Sequence, residues 1–305
     1  MDKNNKLLSF SKEIKGKFIF NYDLKNTNWF NIGGKAKVYF KPESLNELAT
    51  FLKKFGEEEK IVILGAGSNI LLNDGLFNGV VIKLGKKFSN ISLLDDQTII
   101  AGSAVSDRKL SEFAAENNIG GFEFLSCIPG SVGGGLRMNS GCFNREFKDI
   151  VLSVQAIDKS GKIITIPSSN IKFEYRKTNL QQDLIFLSAS LKGDIGTKEK
   201  ILQNMKKMKV KKSEAQPSKI KTGGSTFKNP IDQTDKKVWE LIKKSVPLDT
   251  KFGDAYISQN HCNFFINKNN ASFKDMKKLI DFVKNNVKLK TGIDLETEIE
   301  ILMLK

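Results

Sequence analysis

The sequence predicts an α+β protein, and three observations carry that prediction. Short runs rich in Val and Ile, each flanked by turn residues, recur through the first two thirds of the chain. Amphipathic helical segments interrupt those runs only rarely. From about residue 197 the texture changes to long helical patterns, which puts a domain boundary near 195.

Taken in order, Ser44 with Glu47 makes a capping box that starts a helix over 45–55. "IVILG" (61–65), "GVVIKL" (79–84) and "QTIIAG" (97–102) read as strands from their β-branched content. Ser106 opens a helix over 107–117 that closes at "IGG". Three more strands follow at "IVLSVQAID" (150–158), "KIITI" (162–166) and "LIFLSAS" (184–190). "TKEKILQNMKKMKVKK" is a basic helix that ends before Pro217, and further helical patterns cover 236–245 and 273–289. "LETEIEIL" (295–302) is a C-terminal strand whose acids at 296, 298 and 300 share one face by strict alternation.

Composition bounds the function. At 305 residues with 40% hydrophobic content the chain can bury a sizeable core in two or three domains. Its net charge of +15 comes from scattered lysines with few interleaved aromatics, and no helix-turn-helix, zinc or RNA-binding signature accompanies them. Small anionic ligands fit better than nucleic acid. Cys127, Cys142 and Cys262 have no metal-ligand spacing, and His261 is the one histidine, so the reading is reduced, metal-free and cytosolic. No uncharged run of about 18 residues offers a membrane span.

Two glycine-rich stretches precede the boundary. In "VILGAGSNILL" a strand runs into Gly65, Gly67, Ser68 and Asn69, whose backbone N–H groups could cradle a pyrophosphate. A Rossmann fingerprint is imitated and then fails: Ile70 takes the third glycine's place, no helix follows, and no acid stands at the expected strand end. "CIPGSVGGGLRMNSG" (127–141) packs Gly130, Gly133, Gly134 and Gly135 around Ser131. A tight turn explains either stretch alone; two in one β-rich region favour a dinucleotide.

"NTNWFNIGGKA" (26–36), "LGAGSNILL" (64–72), "FEFLSCIPGSVGG" (122–134), "MNSG" (138–141), "FEYRKTNL" (173–180), "QPSKIKTGGSTFKNP" (216–230), "GDAYISQNHCNFFIN" (253–267) and "LETEIEIL" (295–302) resemble, in order and spacing, the motifs of UDP-N-acetylenolpyruvoylglucosamine reductases. The resemblance covers almost the whole chain. It implies a flavoenzyme of peptidoglycan precursor synthesis, in which non-covalent FAD takes hydride from NADPH and passes it to the enolpyruvyl ether of UDP-N-acetylglucosamine. It also implies an FAD domain of the vanillyl-alcohol-oxidase type, in two α+β subdomains over 1–85 and 86–195, followed by an α+β substrate domain over 196–305. By the same resemblance Gly65, Gly67, Ser68, Asn69, Gly130, Ser131, Gly133, Gly134 and Asn139 hold the cofactor, and the enzyme is a monomer. Arg176 and Ser225 stand 49 positions apart, which suggests the family's second type, without an extra tyrosine-bearing loop.

The reaction explains three residue types. Hydride added to the β-carbon of an enolpyruvyl group leaves negative charge on the α-carbon and its carboxylate, so the site needs a cation there and a proton donor. Ser225 in "GGSTF" matches the family's proton-donating serine. A nucleophilic serine is the competitor, but the G-x-S-x-G elbow is missing and His261 has no evident orienting partner. Arg176 matches the catalytic arginine, and its planar fork suits a carboxylate; a surface salt bridge is the plain alternative. Glu298, the second acid of L-E-x-E, matches the catalytic glutamate, which either keeps the substrate carboxylate protonated or passes a proton.

Tyr175, Lys212 and Asn229 match substrate-binding positions. Two departures stand out. Lys221-Thr222-Gly223 replaces the usual Pro-Ser-Ala and is expected to loosen the loop that holds Ser225; "GCFNRE" replaces a Gly-Ala-Tyr-Gly run and puts flavin contacts near 142–145 in question. An oxidase of the same FAD fold, reoxidised by O₂, and a basic nucleotide-binding module without turnover are the other readings.

Overall fold

The structure is a computed structural model that describes residues 3–215 and 220–303. Pro217 and the start of the 216–230 motif lie outside the described residues. The chain divides into two compact units, one of residues 1–22, 36–66 and 78–209, the other of 23–35, 67–77 and 210–305. Among the described residues no helix is long and apolar enough to cross a membrane.

The first unit holds two sheets. In the first, Lys17–Asp23, Lys35–Lys41, Leu76–Ile82 and Ile61–Ile63 lie side by side, and Ile61–Ile63 pairs with Leu76–Ile82 in parallel. Its core is built from alternate strand residues such as Val38, Phe40, Val80 and Ile82, covered by helices α1 (Lys3–Glu13) and α2 (Leu45–Phe55). The Ser44 hydroxyl accepts from Glu47 N as the box requires, but the Glu47 carboxylate turns instead to the backbone N–H groups of Lys15, Gly16 and Glu43. Half of the expected box therefore serves to pin a neighbouring loop.

The second sheet is antiparallel, in the order Ile163–Pro167, Val151–Ile157, Ile185–Lys192, Thr98–Gly102, Ile91–Leu93. Helices α3 (Asp107–Glu116) and α4 (Val132–Met138) pack on a core that includes Ile99, Leu110, Leu136, Phe147 and Leu191. Helix α5 (Lys198–Ala215) leads out of this unit, with Ile201 and Met205 buried against Ala115.

In the second unit, α6 (Val238–Ser245) and α7 (Phe273–Thr291) enclose a core with Phe30, Leu71, Phe227, Phe265 and Leu295. A small antiparallel meander runs through Lys251–Phe252, Ala255–Ile257 and Phe265–Asn267, and Glu300–Leu302 pairs in parallel with Ile70–Leu72. The strand expected over 295–302 is regular only at Glu300–Leu302, preceded by a single bridge from Thr297 to Phe227; the acids at 296 and 300 are exposed and Glu298 is half-buried, while Leu295 and Ile299 are buried.

Candidate active site

In the first unit the two glycine stretches meet. Ser131 lies between them: a methyl group built on Gly65 would come 3.2 Å from its Oγ and one on Gly134 would come 3.7 Å from it. Gly65 and Gly134 expose their backbone. Part of the second stretch is a helix, although glycine disfavours one by up to about 1 kcal/mol per residue. Packing supplies the reason. A methyl on Gly135 would lie 2.1 Å from the Phe147 ring and one on Gly133 3.1 Å from Ser103, so only glycine lets α4 come this close. Val132 N and Gly133 N donate to the carbonyls of Val105 and Ser103, at 2.9 Å each.

Behind this stretch sits Asp107, fully buried, with no partner for either carboxyl oxygen among the described residues. A methyl on Gly130 would strike its Oδ2 at 2.5 Å, and burial holds the carboxyl well above its ordinary value of 3.8. The Ser103 hydroxyl is likewise buried without a partner. The sequence gives no warning of either, since Asp107 reads as an ordinary acid in a first helical turn. Exposed glycine backbone beside an orphaned hydroxyl suits an anionic dinucleotide.

A second cluster in the same unit surrounds Arg176. Tyr175 and Arg176 form the turn between the paired Glu174 and Lys177, and Arg176 takes a left-handed φ of 57°, a conformation that costs a non-glycine residue about 1 kcal/mol or more. Its guanidinium donates to Gly141 O at 3.0 Å, lies 3.5 Å from the Glu146 carboxylate, and stacks 4.8 Å from the Tyr175 ring. Glu146 arrives on the hairpin formed by the departure "GCFNRE", whose turn residues Phe143 and Asn144 both have positive φ. Asn139 spends its amide inside the protein. It donates to Glu146 Oε2 and Glu174 O at 3.0 Å each and accepts from Lys148 N, so it braces the two strand pairs that aim Arg176.

The second unit brings Ser225 and Glu298 together. Ser225 pairs with Phe264, Thr226 N donates to Asn263 O at 2.7 Å, and Glu298 N donates to Thr226 O at 2.8 Å. Asn69 ties on the other side, its amide donating to Glu298 O at 3.0 Å while its own carbonyl accepts from Glu300 N. Ser225 is half-buried, and its hydroxyl has no protein partner among the described residues. Gly67 has φ 71° and would strike Thr27 O at 2.3 Å if it bore a methyl, so this stretch fixes the 27–29 loop; Ser68 beside it is half-buried.

The loop before Ser225 is held, contrary to the expectation that Lys221-Thr222-Gly223 loosens it. The Thr222 hydroxyl donates to Phe265 O at 2.7 Å and accepts from Gly224 N, Lys221 O accepts from Asn267 N, and a methyl on Gly223 would strike the Phe30 ring at 2.4 Å. Gly224, at φ 83° with open space around it, is needed for its conformation alone. Asn229 accepts at 3.1 Å from Val238 N and so caps α6. Lys212 is half-buried near the end of α5. Asn263, which the sequence does not single out, is the hub here: it accepts from Phe227 N and donates to Phe227 O. Among the described residues no group of acids, cysteines and histidine could hold a metal.

The exposed glycine backbone of the first unit suits the dinucleotide of a flavin-type oxidoreductase; the second unit holds the half-buried Ser225, whose neighbour Thr226 accepts from the backbone N–H of Glu298. Residues 36–167 match the FAD binding domain family, and residues 216–302 match the C-terminal domain of UDP-N-acetylenolpyruvoylglucosamine reductase. The chain is 66% identical over 293 residues to the UDP-N-acetylenolpyruvoylglucosamine reductase of Pelagibacter ubique, covering 96% of this chain and 97% of the relative. It is 44% identical to the Rickettsia conorii reductase, with 94% and 96% covered. The crystal structure of the reductase from Thermus caldophilus superposes with a TM-score of 0.80 at 28% identity, over 94% of this chain and 99% of that one. The chain belongs to the UDP-N-acetylenolpyruvoylglucosamine reductase family.

Proposed function

We propose that the chain reduces UDP-N-acetylenolpyruvoylglucosamine to UDP-N-acetylmuramate with electrons from NADPH, for peptidoglycan synthesis. The observation that carries this is the half-buried Ser225 hydroxyl, next in sequence to Thr226, whose carbonyl accepts from Glu298 N, in a chain of this family. FAD, when bound, supplies the hydride chemistry. Gly65, Gly67, Ser68, Asn69, Gly130, Ser131, Gly133 and Gly134 would hold it through backbone and short side chains. Asn139 supports the site by bracing Arg176.

The protein residues manage charge and protons. The guanidinium of Arg176 binds the substrate carboxylate, on which negative charge grows during reduction. Ser225 gives its proton to the α-carbon. Glu298 keeps that carboxylate protonated or returns a proton to the serine; a Glu298→Gln variant that still protonates carbon would favour the first role. Tyr175, Lys212 and Asn229 position the UDP-sugar. The three-part division into 1–85, 86–195 and 196–305 is our reading of the sequence, although Phe30, Ile32 and Leu71 of its first part pack in one core with Phe227, Leu241 and Leu295 of its last. A cytosolic monomer is our reading.

Purified protein should be yellow and should bleach when NADPH is added without oxygen. A colourless protein that binds no added FAD would overturn the proposal.

A further inference from the structure

We infer that Trp239 is the platform on which the uracil ring of the nucleotide-sugar stacks, an inference that rests on the UDP-sugar reading above. Trp239 is 43% exposed in the first turn of α6, while its neighbours Val238, Leu241 and Ile242 fill the core. The helix therefore has a complete buried face without it. Neither a hydrogen bond nor a ring contact engages the indole among the described residues, and Ile231, 57% exposed, adds a second apolar side chain in the same connection.

Trp239 is tied to the reacting end from two directions. Asn229, four residues along the loop from Ser225, accepts from Val238 N at 3.1 Å and so pins the first turn of α6 to that loop. The Cys262 thiol donates to Trp239 O at 3.1 Å, and the following residues, Asn263 and Phe264, pair with Thr226 and Ser225. Four extended residues reach about 13 Å at most, and the indole beyond them extends that reach toward a base separated from the reacting carbons by a hexose, a diphosphate and a ribose. The local charges are mixed, with Lys236, Lys237 and Lys243 near Asp232, Asp235 and Glu240. A flat uncharged ring, not a bare anion, is what this surface offers to bind.

The protein has two tryptophans, Trp29 and Trp239, so fluorescence can assign the site. Titrating holoenzyme with UDP should quench tryptophan emission in the native protein and in Trp29→Phe, and leave Trp239→Phe unchanged. Trp239→Ala should bind UDP about five- to a hundredfold more weakly by calorimetry, the range set by one aromatic–base stack. It should keep native flavin content and reduction by NADPH, raise KM for the enolpyruvyl substrate and leave kcat nearly native; Trp239→Tyr should restore most of the affinity. Equal UDP affinity in native protein and Trp239→Ala overturns the inference, as does quenching lost only in Trp29→Phe. A native enzyme that NADPH reduces but UDP does not bind would instead remove the substrate reading beneath it.

Discussion

Asp107→Asn is a near-isosteric change at the first residue of α3, where the carboxyl is fully buried and neither oxygen has a partner among the described residues. Burial holds this carboxyl well above 3.8, so the folded protein keeps a proton that the unfolded chain releases once the pH passes about 4. Folding then takes up a proton. The stability is full below the unfolded value and falls as pH rises, by about 1.4 kcal/mol per pH unit, until the folded group itself ionises. Asparagine has nothing to titrate. From about pH 5 upward, until the folded carboxyl itself ionises, the variant should therefore gain on the native protein with rising pH, at up to about 1.4 kcal/mol per unit. The assay is urea unfolding with FAD in excess at several pH values. A constant offset at every pH measures the cost of burying the amide, so the slope of the difference is the test. Parallel curves, within about 0.5 kcal/mol over the window, would refute a neutral acid packed against Gly130.

Other outcomes follow from the site. Ser225→Ala should keep FAD and its reduction by NADPH, while transfer to substrate falls about a thousandfold, roughly 4 kcal/mol of transition-state stabilisation; a loss within about tenfold, ~1.4 kcal/mol, would make the serine a loop residue. Ser225→Cys should recover part of the rate. Lys212→Ala should raise the Michaelis constants with unchanged flavin content, and high salt should mimic part of that loss in the native enzyme; unchanged constants would remove Lys212 from the site. Acid precipitation should release all the flavin, because Cys127 is buried and His261 half-buried; a yellow pellet would reverse that expectation.

Much of the fold could be read from local pattern. Val- and Ile-rich runs marked strands to within a few residues, and Ser106 starts α3 as its type suggests, accepting from Lys109 N. Helix α4 could not be read that way, because its three glycines argue against a helix until Phe147 and Ser103 pack against them. Chain position also hides long-range pairing. Nothing local in "GGSTF" or "LETEIEIL" says that Thr226 O accepts from Glu298 N, or that Asn69 closes the other side. Resemblance supplies the candidates for the reacting residues, and packing explains how Thr222 holds the Ser225 loop where a looser one was expected.

The most direct test of the central claim is an anaerobic single turnover. Holoenzyme reduced with one equivalent of NADPH is mixed with UDP-N-acetylenolpyruvoylglucosamine, and the flavin absorbance and the product are followed together. The account predicts that oxidised-flavin absorbance returns fully, with one equivalent of UDP-N-acetylmuramate formed. Flavin that stays reduced with this substrate, yet reoxidises promptly when O₂ is admitted, would contradict it and make the protein an oxidase of the same fold.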